Sequence, residues 1–222
     1  MSSSISSIDR LILRPWFGAF VAVEDYYYYY YYGGRRYRHG EWLHLLVGAV
    51  LVMAAGASWF YYIPMGVLGF ALSSVLFVLA FLLHELAHKF SAIHYGYYAE
   101  FRLQTWGVIV TAISVVLPFF KIIAPGATVI YGPDDRYLMG RTALWGPVVN
   151  IAMASALIAA AMGAPQLYYL AMAAYINSFI ALFNLIPLGI LDGLKVFRWN
   201  KGVWAGAFAL SAVLFALSVT MI

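Results

Sequence analysis

The chain has no cysteine. That excludes disulfides, thiolate metal ligands and a cysteine nucleophile. Charge is nearly as scarce. Only 10% of the 222 residues are charged, against about 25% in a soluble domain. Residues 43–83 and 142–191 contain no Asp, Glu, Lys or Arg at all. No cleavable signal is expected at the start, where Ser-rich residues 2–7 run into Asp9 and Arg10 with no small-residue cleavage site after them. What fills the chain is apolar: 64% hydrophobic residues and a mean hydropathy of +0.84. Such a chain lives in a lipid bilayer and has little room for a separate soluble domain. The net charge of +4 comes from few, clustered basic residues. These read as orienting signals beside membrane spans, not as a nucleic-acid surface.

The uncharged run 43–83 is long enough for two spans, since one needs about 20 residues. Tyr61-Tyr62-Ile63-Pro64 with Gly66 marks the turn between them, with aromatics at the interface. Spans are expected near 42–60 and 65–95. The second uncharged run breaks at Gly163-Ala164-Pro165, giving spans near 138–162 and 166–187, and residues 203–222 form a last one. Between the second and third spans, 103–120 is uncharged but carries Gln104, Thr105, Gly107, Thr111, Ser114 and Pro118. It either crosses or forms a short sheet with a re-entrant segment. Arg35, Arg36 and Arg38 place the start of span one in the cytoplasm. If 103–120 does not cross, Lys195, Arg198 and Lys201 fall on that same side, so charge favours the re-entrant form. The expected fold is an all-α polytopic membrane protein. It has about five to six transmembrane helices and a small β/re-entrant element between the second and third spans. Residues 1–41 form an N-terminal interfacial region: an amphipathic stretch at 8–24, then seven tyrosines at 26–32, by propensity an extended strand. Residues 42–222 form the transmembrane domain.

The chemistry concentrates in His84-Glu85-Leu86-Ala87-His88. On a helix, His84 and His88 are four residues apart and share a face. Two neutral imidazoles one turn apart supply two of the three protein ligands of a catalytic zinc, leaving one position for water. Glu85 is placed to act as general base. The same five letters on a solvated helix face are often an accident. In an apolar span a carboxylate and two imidazoles are costly and usually functional.

A third ligand has two sources. His94 stands six residues after His88, the metzincin spacing, but that motif needs glycine where this chain has Ser91. On a continuous helix His94 also points about 240° away from His88. The other source is Phe183-Asn184-Leu185-Ile186-Pro187-Leu188-Gly189-Ile190-Leu191-Asp192-Gly193. Pro187 and Gly189 break the helix here, so that freed backbone and Asn184 line a polar cavity. His84 lies 19 residues after Met65, and Asn184 18 residues after Gln166. At about 1.5 Å per residue both reach nearly the same depth, toward the cytoplasmic side. Asp192 follows close by and completes a His-His-Asp site; a helix-end aspartate paired with Lys195 is the plainer role for it.

The combination of His-Glu-x-x-His with Asn-x-x-Pro-x-x-x-Leu-Asp-Gly, on separate membrane segments, resembles the site-2 protease family of intramembrane zinc metalloproteases. The resemblance covers roughly 65–200, the core of a protease domain over 42–222. It implies His84, His88 and Asp192 as ligands of one Zn2+, Glu85 as catalytic base, and Asn184 as a group that helps hold substrate or the oxyanion. Gly146-Pro147-x-x-Asn150 matches a further family motif, structural or substrate-facing. Many relatives have a second proline where this chain has Gly189, and a small residue where it has Leu194. The short 97–137 segment leaves no room for a PDZ domain, as in the compact members. The implied partner is a single-span membrane protein, cut within its transmembrane segment. The alternative is a membrane metal-ion or proton transporter using the same embedded histidine and acid cluster.

Overall fold

The computed structural model describes residues 40–60, 66–117, 122–132, 135–164 and 166–222. The amphipathic stretch 8–24, the tyrosine tract, the Arg35–Arg36–Arg38 cluster, the 61–64 turn, Pro118 and Pro165 lie outside the described residues. In chain order the elements are α1 (Glu41–Phe60), α2 (Gly66–His94), β1 (Tyr98–Leu103), α3 (Thr105–Val116), β2 (Gly126–Tyr131), α4 (Arg136–Gly163), α5 (Tyr168–Asn184), α6 (Asp192–Trp199) and α7 (Lys201–Val219).

Among the described residues, α1, α2, α4 and α7 are long and apolar enough to cross a membrane. α5 is a fifth apolar helix of 17 residues, about 26 Å long, that stops at the expected break. The segment 103–120 does not supply a sixth. α3 has 12 residues, about 18 Å, short of a hydrocarbon core of about 30 Å. It sits between two strands that pair antiparallel, Thr128 opposite Phe101 and Gly126 opposite Leu103. The chain is thus a helical membrane protein with a small two-stranded sheet.

Lipid tails are as apolar as leucine, so burying large apolar groups does little to bring these helices together. Small residues that let backbones approach do more. The buried faces of α4 and α5 follow that rule: Gly140, Ala143, Gly146 and Ala154 on α4, Ala171, Ala173, Ala174 and Ala181 on α5. Bulky residues point outward instead, as Trp42, Leu43, Leu46 and Val50 do on α1. α5 lies between two apolar clusters. One joins Val52, Phe77, Phe81 and Phe101 to Met172 and Ile176. The other joins Ile151 and Ile158 to Leu185 and Leu214.

The sheet is anchored by α1. The outward N–H groups of β1 do not stay open: Phe101 N–H donates to Glu41 Oε1 at 3.1 Å and Leu103 N–H to His44 Nδ1 at 3.2 Å. Glu41 also takes the Lys89 ammonium of α2 at 2.6 Å. One carboxylate therefore joins α1, α2 and β1. On the other face of the hairpin Glu100 is buried. It accepts hydrogen bonds from Tyr98 and Tyr131 at 2.9 and 2.8 Å and pairs with Arg102. Burial, with Glu100 beside it, pushes the Tyr98 phenol up to about 12.

Glu41→Ala is expected to lower stability by about 1–3 kcal/mol, because it strands both the Lys89 charge and the Phe101 N–H. Thermal unfolding in detergent measures this. Glu41→Gln, which keeps an acceptor, should lose less.

Candidate metal centre

His84 and His88 project from one face of α2, and Asp192 opens α6 across from them. All three are buried. Asp192 Oδ2 lies 3.2 Å from His84 Nε2 and 3.0 Å from His88 Nε2, and the two Nε2 atoms are 3.1 Å apart. Among the described residues this is the one group of histidine and acid side chains arranged to hold a metal. Donors bound to zinc at about 2.1 Å in a tetrahedron stand about 3.4 Å from one another, so the spacing suits that ion within a few tenths of an ångström.

The far side of each ring fixes its proton. His84 Nδ1 is 2.6 Å from Asn150 Oδ1, and His88 Nδ1 is 2.9 Å from the Thr142 carbonyl. A carbonyl can only accept, so His88 carries its proton on Nδ1. The Asn150 amide is oriented by its other end, where Nδ2 donates to Ala80 O at 3.2 Å and Asn177 Oδ1 at 2.9 Å. Asn177 in turn donates to Ala173 O. Asn150 thus turns its oxygen to His84, which must donate too. Both Nε2 lone pairs then face a carboxylate oxygen with no proton between them. Only a cation relieves that arrangement, and this outer shell is what holds imidazoles ready for one.

The Gly146-Pro147-x-x-Asn150 motif gains a specific role. A Cβ on Gly146 would sit 2.4 Å from His88 Nε2 and 2.7 Å from His84 Nε2, inside the space the ligand atoms face. Pro147 lies inside α4 and lacks the N–H that would bond the Ala143 carbonyl one turn back.

Asp192 arrives through the break after α5. The freed Leu185 carbonyl accepts from Trp204 Nε1 of α7 at 2.8 Å. Gly193 packs so closely that a Cβ would stand 2.1 Å from that same oxygen, which explains glycine after the aspartate. Gly189 takes φ +55°. Proline, with φ held near −65°, cannot, so this chain turns the break differently from relatives with a second proline. Lys195 donates to Asp192 Oδ1 at 3.2 Å, leaving Oδ2 for the histidine side. The two roles read for Asp192 therefore coexist.

Glu85 is buried and lines the adjoining cavity with Asn184 and Lys195. Its Oε2 accepts from Thr128 N–H at 3.0 Å and Thr128 Oγ1 at 2.9 Å. Asn184 donates to Ile180 O, one turn back on its own helix. Phe77, Phe81, Phe179 and Phe183 form the apolar side of the cavity. Its free space, about 90 Å³, exceeds the 10–15 Å³ or so that one water needs. His94 is exposed and packs on Tyr95, away from the cluster. His44 serves the β1 edge. Sequence reasoning did not pick out Thr142, Asn177 or Thr128, which lie in unremarkable strings and matter only through tertiary contact.

Gly146→Ala should lower the zinc bound per chain, because the methyl displaces both imidazoles. A loss of 10-fold or more in affinity is expected, on the order of a disturbed outer shell. Gly163→Ala is the control, since nothing lies within 4 Å of its Cβ position. Metal content after equilibrium dialysis reads both.

No family model matches the chain, and no solved structure does. A curated protein of Methanocaldococcus jannaschii, named "Putative zinc metalloprotease", is 33% identical over 168 residues, 72% of this chain and 86% of that protein. Identity of that extent, with a buried His-His-Asp group on the two expected motifs, settles the family: the chain belongs with that protein among the zinc metalloproteases, consistent with the site-2 protease resemblance.

Proposed function

We propose that this zinc metalloprotease hydrolyses peptide bonds within transmembrane segments of single-span membrane proteins. The observation that carries the reading is the position of the centre. Its three donors are buried among helices long and apolar enough to cross a membrane, so a substrate reaches it from the lipid.

Zinc held by His84, His88 and Asp192 supplies Lewis acidity and a water that ionises near neutral pH. Glu85 takes the proton of the attacking water and delivers it to the leaving amine. Among the described residues Glu85 Oε1 has no hydrogen bond, while Oε2 is engaged by Thr128, so Oε1 is the proton-accepting atom. Asn184 lines the cavity with one amide N–H committed to Ile180; its oxygen and second N–H are there to hold a substrate backbone or the oxyanion. The four phenylalanines shelter the apolar flank of the substrate.

A transmembrane helix hides its carbonyls in its own hydrogen bonds, so the substrate must open locally. Residues 98–116 invite strand addition by their β-prone sequence, but 105–116 are helical and the outer edge of β1 is covered by α1. The strand at the cavity is β2, whose Gly126, Thr128 and Ile130 line it. Thr128 N–H is taken by Glu85, so strand addition there uses the other outward backbone groups of β2, at Gly126 and Ile130, as the partners that an opened helix loses. Substrates with Gly, Pro or Asn near the cut are favoured because their helices open at low cost.

Basic residues 35, 36 and 38 before α1 put the metal centre toward the cytoplasm. Metal transport, the other reading, finds little support. Among the described residues there is no second group of metal-ligating side chains along the helices to relay an ion.

Glu85→Gln should keep its zinc and lose cleavage of a model transmembrane peptide by 100-fold or more, about the worth of general-base catalysis. Fragments are read by mass spectrometry, with 1,10-phenanthroline as the metal-removal arm. Substantial cleavage by this variant would end the general-base assignment; metal flux into sealed vesicles with no peptide cut by the unaltered chain would end the hydrolytic proposal. Because the chain has no cysteine, single cysteines at positions 96 and 202 can be labelled in intact vesicles to read the side. Labelling from the cytoplasmic face is expected at both.

A further inference from the structure

The catalytic carboxylate is not held by its own helix or by the metal ligands. It is held by the hairpin. Thr128 is the only residue that bonds the Glu85 side chain among the described residues, and both of its donors go to one oxygen. The hydroxyl also lies 3.1 Å from the Glu85 backbone carbonyl. Its one proton is thus shared between the main-chain carbonyl and the carboxylate of a single residue, the carboxylate being nearer, and this restrains the side-chain torsions between them.

We propose that Thr128 is a positioning residue for the hydrolytic reaction: it fixes the Glu85 rotamer so that Oε1 is presented to the reacting water. This rests on the hydrolytic reading above. The rest of the hairpin is built to deliver that one contact. Phe101, opposite Thr128, turns its N–H away from β2 to Glu41, and Thr128 turns its own away from β1 to Glu85. The pairs at 126/103, 128/101 and 130/99 thus leave their backbone groups pointing outward, as alternate pairs of an antiparallel ladder do. Side chains alternate as well. Tyr98, Glu100, Arg102 and Tyr131 fall on the face opposite Thr128, where the buried Glu100 ties both strands together. A slip of one residue would swap the faces, break the Glu100 cluster and remove the Thr128 hydroxyl from Glu85 at once. Close approach limits slipping too, since a Cβ on Gly126 would sit 2.3 Å from Arg102 O. The Glu100 cluster takes no part in the chemistry, and register control gives it a purpose.

The test uses the full chain in detergent with a fluorogenic single-span peptide. Thr128→Val keeps the β-branched shape and the backbone N–H but loses the hydroxyl. Its kcat should fall on the order of 10-fold to 100-fold, the scale of a misplaced catalytic group, with KM and zinc content close to those of the unaltered chain. Thr128→Ser should restore most of kcat. A second reading does not depend on turnover: in Glu85→Ala the Thr128 amide should exchange with solvent faster, while amides in the α4–α5 interface do not. Unchanged kcat in Thr128→Val, a loss that appears in KM or in zinc content instead, or unchanged Thr128 exchange in Glu85→Ala would each overturn the assignment. Absence of cleavage by the unaltered chain would overturn the hydrolytic reading instead, and the exchange measurement would still judge the contact.

Discussion

Three electron pairs that face one another inside a helical bundle set the terms for this molecule. His84 Nε2, His88 Nε2 and Asp192 Oδ2 stand 3.0–3.2 Å apart, and the Nδ1 proton of each imidazole is committed to a carbonyl on its far side. Lys195 compensates one oxygen of the carboxylate, but Oδ2 packed against two imidazole lone pairs in a medium of low dielectric remains costly. With a divalent ion the same arrangement becomes favourable, because nothing has to reorganise to receive it. The sequence around the centre is explained by that demand: glycine at 146 to keep the space open, glycine at 193 to let the aspartate approach, and lysine at 195 to occupy its other oxygen.

Holding those donors apart from the ion takes a polar network, and each member is satisfied. Asn150 and Asn177 bond each other and the carbonyls of two helices. In lipid such groups have no water to fall back on, so an incomplete network would cost more than an apolar core. This explains why Thr142, Asn150, Asn177 and Ser178 sit on the inner faces of α4 and α5, among alanines and glycines. The small residues bring the backbones close, and closeness is what lets short amides span between helices. Among the described residues the one exception is Ser91, whose buried hydroxyl has no partner.

Much of this could be read from the chain alone, for physical reasons that are easy to state. Long uncharged runs fix spans because bilayer thickness is a constant, and α1, α2 and α4 end within a few residues of the expected limits. His84 and His88 share a face because helix geometry says so. Counting residues through two helices puts Asn184 at nearly the depth of His84 with Asp192 close by, and the structure brings Asp192 Oδ2 within 3.0–3.2 Å of both rings. The irregular hairpin was less legible. The β-branched residues of 105–116 suggest a strand, yet the segment is helical, with only Thr111 and Ser114 buried; a helix satisfies its own backbone groups where lipid offers no partner, and β-propensity yields to context. Asn177, Thr142 and Thr128 were invisible for a different reason. A lone amide or hydroxyl has no spacing rule, and its partner lies 27 to 54 residues away.

The placement of the polar parts also bears on how a water-consuming reaction can run beneath a lipid surface. The centre draws on α2 and α6, its support on α4 and α5, and its base on β2. Only the last of these is outside the helical bundle. A strand has backbone groups left over along its edge; a helix has none. On the proposed hydrolytic reading, putting Glu85 against β2 joins the proton-handling atom to an element whose edge can pair with an unwound substrate. A chain that settles along the β2 edge flanks Thr128, and so lies beside the oxygen that must act on it. Recognition of an opened backbone and orientation of the base then share a single structural support. That arrangement gives a helical membrane protein a reason to retain two short strands in a bundle otherwise built of helices.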